Sequence, residues 1–283
     1  MAQGARAVDM GRRRLRWRLI SVLVRNVPVL VPILLAVVAA DLVFGGIVGA
    51  WFPVVVALAM AVHVVLLLAL RSLRDESSRG PVETAAPVAG EWFALNGPSD
   101  KVPSHGVRFL GQEYAIDVLI DSQERPTSPW WPPMSRSGVF PAFGQPLFAP
   151  ADAEVVHVED GARDHLSRGT YAGLAYFLVE GLVRQAVGAR RVLGNHVVLD
   201  LGGGVYALYA HLRQGSARVG AGEKVRAGQV LAECGNSGNS SEPHLHFQLM
   251  DAPDPRLAVG MPFTWTGVGV PENGSAFHVP EHT

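Results

Sequence analysis

Only one cysteine, Cys234, stands in the 283 residues. A lone thiol excludes a disulfide within the chain and any zinc knuckle built from several cysteines, and it says nothing about compartment. Charge of one sign is equally absent: 24 basic against 25 acidic side chains leave a net charge of −1. With a pI near 6.8, the chain lacks the basic balance of a nucleic-acid-binding surface, so no nucleic-acid partner is expected. Long apolar runs are missing from everything after residue 70.

Before that point they dominate. The 48% hydrophobic content and mean hydropathy of +0.20 are high for a soluble protein, and the excess sits in residues 27–70. Only Asp41, Gly45-Gly46 and His63 interrupt that stretch, which is about twice the ~20 residues one membrane-spanning helix needs. Two transmembrane helices are expected, over 28–48 and 52–70, as an α-helical hairpin turning at the glycines, Trp51, Phe52 and Pro53. Residues 1–26 carry Arg6, Arg12, Arg13, Arg14, Arg16, Arg18 and Arg25, a density that the positive-inside rule assigns to the cytoplasm and that suits contact with anionic membrane lipid. Two spans would then return the rest of the chain to the cytoplasm as well.

Residues 71–90 are small, polar and charged and read as a linker. A domain over 91–270 follows, with a C-terminal tail at 271–283. Short β-branched runs alternate with glycine-rich turns at 115–120, 153–158, 195–201, 204–212, 228–234 and 244–250, which predicts a mainly β, antiparallel domain. Within it, Tyr171, Leu174, Ala175, Leu178 and Leu182 recur at helical spacing, and Glu180 and Arg184 stand four apart. They predict an inserted helix over 171–188, which either caps the sheet, lies against the membrane or lines a cleft. The run 122–143 is too proline-rich for regular structure. Its Trp130 and Trp131 either wall a substrate groove or pack on their own domain.

The stretch SSEPHLHFQLM, residues 240–250, places His244 and His246 two apart. In a strand both project to one face while Leu245, Phe247 and Leu249 project to the other, so one face makes core and the other presents imidazoles suited to a metal or to proton transfer. The same alternation in GVYALYAHL, 204–212, sends Tyr209 and His211 together, opposite Tyr206, Leu208, Ala210 and Leu212. In PSHGVRFLGQEYAIDVLI, 103–120, His105 precedes a turn and Asp117 sits in an otherwise apolar strand, where a buried carboxylate needs a strong partner and a metal would serve.

In order and spacing, YAHL, GEKVRAGQ, GNSG and PHLHF resemble the lysostaphin/LytM-type zinc metallopeptidases, which cut peptide bonds of bacterial peptidoglycan. The resemblance covers about 103–265. It implies an antiparallel β-sandwich or open barrel, like a duplicated hybrid motif, with one Zn2+ per domain held by Asp117, His246 and a first histidine, and with His211 and His244 as catalytic groups. Relatives commonly present the first histidine and the aspartate as HxxxD, but here Glu113 stands four residues before Asp117. His105 and Glu113 therefore compete for that place. His105 is preferred because a second carboxylate would offset the metal's charge, and because Gly106 permits a sharp turn into the cleft. Glu113 would then accept a hydrogen bond from a ligand imidazole. His157, His165 and His196 match no position of the family and read as ordinary strand or loop residues.

The function implied is a membrane-anchored zinc metalloendopeptidase acting on peptidoglycan cross-links. Two alternatives stand beside it: a non-catalytic member of the same fold that regulates another wall hydrolase, and a histidine phosphocarrier, which would have no use for Asp117. A wall-cutting domain must lie outside the cytoplasm, against the charge pattern. Arg71, Arg74 and Arg79 pull the other end of the apolar segment inward and make that pattern less one-sided, so an extracytoplasmic domain is expected.

Overall fold

The computed structural model describes residues 80–121, 132, 134–168, 170, 171, 173, 177, 180, 181, 184 and 187–280. All of them belong to one compact unit, Ser77–Thr283, distinct from Met1–Glu76. The spans expected at 28–48 and 52–70, the arginine-rich segment before them, and Trp130 and Trp131 lie outside the described residues. Among the described residues no helix is long and apolar enough to cross a membrane.

The described chain forms strands β1 (Val82–Thr84), β2 (Gly90–Leu95), β3 (Ile116–Leu119), β4 (Pro146–Phe148), β5 (Ala153–Glu159), β6 (Asn195–Asp200), β7 (Tyr206–Leu212), β8 (Lys224–Val225), β9 (Val230–Glu233), β10 (Leu245–Met250), β11 (Gly260–Met261), β12 (Phe263–Trp265) and β13 (Ala276–Val279). The main sheet runs β13-β2-β3-β10-β7-β6-β5-β8, with β11 also on β10. Its pairs are antiparallel, as the alternating sequence predicts. β4 and β9 form a separate antiparallel pair.

Each of the six stretches read as strands contains one. Seven further strands lie outside those stretches, two of them in segments read as linker or tail. Val82–Thr84, in the stretch read as linker, pairs in parallel with Phe263–Trp265, and Ala276–Val279, in the stretch read as tail, pairs with β2. Both are short strands paired with partners far along the chain, β1 in a two-stranded sheet with β12 and β13 at the edge of the main sheet, so their pairing comes from tertiary contact rather than local pattern.

Alternation on β10 divides the interior. Leu245, Phe247 and Leu249 enter the main core, where Phe247 meets Tyr209 edge-on at 5.3 Å and Phe263 at 5.4 Å. Each such fully buried side chain contributes about 1.5–3 kcal/mol. The opposite face carries a smaller cluster of Leu110, Leu193, Val198, Leu208, Ala210, Met250 and Ala258. The site is built on this second face. The described residues between 171 and 187 are helical, and Glu180 pairs with Arg184 at 2.8 Å. A short helix, Ala189–Leu193, leads from there into β6.

Candidate metal and catalytic site

Asp117 and His246 are direct cross-strand partners in the β3–β10 ladder. That register brings the His246 Nδ1 within 2.9 Å of Asp117 Oδ1. His105 comes from the loop before β3, and its Nε2 lies 2.9 Å from Asp117 Oδ2. One donor atom from each of His105, Asp117 and His246 falls within 4.8 Å of the other two.

Behind each imidazole stands an acceptor for its remote nitrogen. His246 Nε2 faces Gln248 Oε1 at 3.0 Å, and the amide is oriented because Gln248 Nε2 donates to Leu110 O at 2.8 Å. His105 Nδ1 lies 3.0 Å from Ser104 Oγ. A remote nitrogen that donates its proton leaves the near nitrogen with a lone pair for a metal. Two imidazoles and one carboxylate form the donor set zinc takes where a fourth position stays open. These residues therefore fit the ion.

Glu113 is not among them. Its carboxylate pairs with Arg108 at 2.6 Å, so neither the ligand alternative nor the expected bond from an imidazole is realised. The reason is local: Phe109–Tyr114 is a kinked 3-10 segment in which Leu110 and Gly111 take φ of +59° and +71°. The two-residue alternation that would put Glu113 and Asp117 on one face does not apply there.

The second correction concerns β7. Strict alternation grouped His211 with Tyr209, but Tyr209 is in the main core, with its hydroxyl donating to Phe148 O at 2.8 Å. His211 instead sits on the opposite face, with ring centroids 4.8 Å from His244 and 5.8 Å from His246. The cause is a β-bulge: Leu212 pairs with Asn195 but Tyr209 with Val197, one residue too many on β7, and His211 takes φ of +63°. A left-handed non-glycine residue costs on the order of 1 kcal/mol and turns its side chain across the sheet.

His211 Nδ1–H donates to Ser237 O at 2.9 Å, which leaves Nε2 as the basic nitrogen. Burial, followed by the neighbouring His244 and His246, holds its pKa well below the usual histidine value. The ring is neutral at neutral pH. His244 Nδ1 donates to Glu242 O at 2.8 Å, and its Nε2 lies 3.6 Å from Asp117 Oδ1. Burial alone would raise the Asp117 pKa, but the charges of the adjacent His105 and His244, and the close approach of the His105 and His246 rings, hold it well below the usual carboxylate range. For His105, burial opposes the charge and the Asp117 carboxylate outweighs it, so its pKa is raised.

The loop carrying Ser237 is fixed from both sides. Ser237 Oγ accepts from Asn195 N at 2.9 Å and donates to Leu212 O at 2.8 Å. Gly238 packs so tightly on Gly194 that a Cβ on Gly194 would lie 2.5 Å from Gly238 N, which is why both positions need glycine. His165, set aside in the sequence, donates through Nε2 to Gly238 O at 2.9 Å. His196 donates through Nδ1 to Gly194 O at 2.8 Å, and its ring lies 5.0 Å from that of His157, tilted by 35°. Sequence reasoning missed Gln248, Ser104 and Asn96, whose Nδ2 donates to Asp117 Oδ2 at 3.1 Å. Gln248 had a signal, since it lies two residues from His246 in an apolar strand and so shares its face.

Residues 175–256 match the family model described as Peptidase family M23. Within that stretch the chain resembles the lysostaphin/LytM-type peptidases. Glycyl-glycine endopeptidase ALE-1 of Staphylococcus capitis is 30% identical over 95 residues, which are 30% of this chain and 26% of that protein. Lysostaphin of Staphylococcus simulans is 30% identical over 95 residues, 30% of this chain and 19% of that one. The match thus spans about a quarter or less of those relatives' lengths. The solved catalytic domain of lysostaphin from Staphylococcus simulans aligns at 18% identity and a TM-score of 0.32, covering 55% of this chain and 86% of that one. His211, His244 and His246 fall inside the matched stretch. His105 and Asp117 precede it and are joined to it only by the fold.

Proposed function

We propose that this chain is a membrane-anchored zinc metalloendopeptidase that hydrolyses peptide cross-links of bacterial peptidoglycan. The observation that carries this reading is the meeting of His105, Asp117 and His246 within 4.8 Å, with His211 and His244 beside them. The M23 match and an endopeptidase relative support the reaction class.

His105 Nε2, an Asp117 oxygen and His246 Nδ1 would hold the zinc. When bound, the metal supplies Lewis acidity, which acidifies water towards a pKa of about 7 and polarises a carbonyl. The protein's own part is proton management. His211, kept neutral by burial and aimed by Ser237 O, is the acceptor for a proton from the attacking water. His211 would then return that proton to the leaving amine, and His244, held by Glu242 O, would stand beside the developing oxyanion to stabilise it.

The test is zinc analysis of the purified full chain in detergent, paired with digestion of peptidoglycan. His246→Ala is expected to lose zinc and activity together, whereas His211→Ala keeps zinc while activity falls roughly a hundredfold or more. Zinc binding with no cleavage by the unmodified protein would favour the regulator reading instead.

Orientation belongs to the same proposal. On this reading the domain lies outside the cytoplasm, with the first apolar segment re-entrant or the hairpin inverted. Protease added to spheroplasts should digest it, and protection would remove the substrate from reach.

A further inference from the structure

Beside the site, on the far side of the Ser237-Gly238 loop, lies a groove of about 970 Å³ lined by six arginines: Arg136, Arg163, Arg168, Arg184, Arg190 and Arg191. Two carboxylates line it with them, Asp164 and Glu180. Among the described lining residues, six guanidinium groups against two carboxylates leave a formal excess of four positive charges, in a chain whose net charge is −1. His165, also on the wall, has its pKa lowered, first by burial and then by Arg168, and adds none.

The carboxylates are already engaged. Glu180 bridges Arg168 at 2.6 Å and Arg184 at 2.8 Å. Asp164 accepts from the backbone N–H of Asn236 at 2.7 Å and of Gln214 at 3.0 Å. Arg184 also donates to Gly238 O, and Arg190 pairs with Glu159 at 2.7 Å. Arg136, Arg163 and Arg191 are exposed and make no ion pair among the described residues. A solvated arginine is ordinary, but three exposed ones beside three paired ones around one concavity focus a positive field into it, and guanidinium is the group that grips carboxylate and phosphate with paired N–H donors.

We infer that this groove binds an oxyanion-bearing segment of the wall polymer, carboxylate or phosphate, next to the bond to be cut. The inference rests on the proposed wall substrate and names a second point of contact with it. Concavity favours a polymer strand over a membrane, because a flat bilayer reaches only the rim of a groove. Gly194 and Gly238 lie on the groove wall, and Ser237, next to Gly238, anchors His211. A polymer held in the groove is therefore held alongside the reacting centre.

The experiment compares the full chain with a triple variant, Arg136→Ala, Arg163→Ala and Arg191→Ala, by sedimentation with wall fragments at low and high salt. The three positions are exposed, so a Tm close to that of the unmodified protein controls for folding. The variant is expected to bind wall roughly tenfold or more weakly at low salt, with the gap closing as salt rises. Wall stripped of phosphate polymers and wall with amidated carboxylates then identify the oxyanion: the preparation on which the gap disappears has lost it. Equal binding by both proteins to untreated wall would overturn the inference, as would a defect confined to anionic phosphatidylglycerol vesicles. Binding needs no catalysis. Arginine-dependent binding by a chain that cuts nothing would defeat the peptidase reading and leave the groove standing.

Discussion

At the scale of single residues, the contest between His105 and Glu113 is decided by what each already touches. Glu113 is satisfied by Arg108 at 2.6 Å, while His105 points its Nε2 at Asp117. His105→Ala should abolish stoichiometric zinc binding in a side-by-side titration, and Glu113→Gln should keep most of it. The reverse pattern would make Glu113 the ligand. Gln248 offers a second measurement. It is fully buried and links His246 Nε2 to Leu110 O. Gln248→Leu would leave that ring N–H without an acceptor and free the ring to turn, so zinc affinity should fall by roughly 10- to 100-fold against a competing chelator. An unchanged affinity would reduce Gln248 to packing.

Elements explain which parts of the site were legible in the sequence. The pair His244 and His246, and Asp117 in its apolar strand, were readable because regular strands keep a period of two, and their cross-strand register follows from the same pattern. His211 was found by motif but put on the wrong face, since one residue at φ of +63° shifts the count. No composition signal marks such a bulge when the residue is not glycine or asparagine. His105 came from a loop whose course depends on the kinked segment 109–114, and β1 and β13 depend on partners far along the chain. Ser237 shows how strongly the elements are tied near the bulge: its hydroxyl joins the start of β6 to the end of β7. Ser237→Ala should therefore cost about 1–3 kcal/mol in urea unfolding, because it strands the buried N–H of Asn195. Leu212 O keeps a bond from Asn195 Nδ2 at 3.0 Å, so the loss belongs mainly to that one donor. A change within about 0.5 kcal/mol would mean the loop is held by glycine packing alone.

For the molecule as a whole, acid is the informative stress. His165 and His196 lie outside the candidate metal set, and both have lowered pKa values. Burial is the leading cause in each, with Arg168 adding to it at His165 and His157 at His196. A histidine whose folded pKa is depressed takes its proton more readily when unfolded. Its contribution to stability is therefore complete above the ordinary value of about 6.5 and is lost as pH falls from there towards the folded value. In that window the slope approaches about 1.4 kcal/mol per pH unit for each proton. Acid also titrates the groups around Asp117 and strips metal from its ligands, so the steepness of the wild-type curve cannot be assigned to these two rings alone. The difference between proteins can. His196→Gln keeps a donor for Gly194 O but cannot titrate, and His165→Gln does the same for Gly238 O. Each variant should show a flatter fall of Tm between pH 7.5 and 5 than the unmodified chain, at equal zinc content. The double variant should be flatter still, by nearly the sum of the two if the rings titrate independently. Parallel curves for all four proteins would mean that neither histidine is kept neutral by the fold.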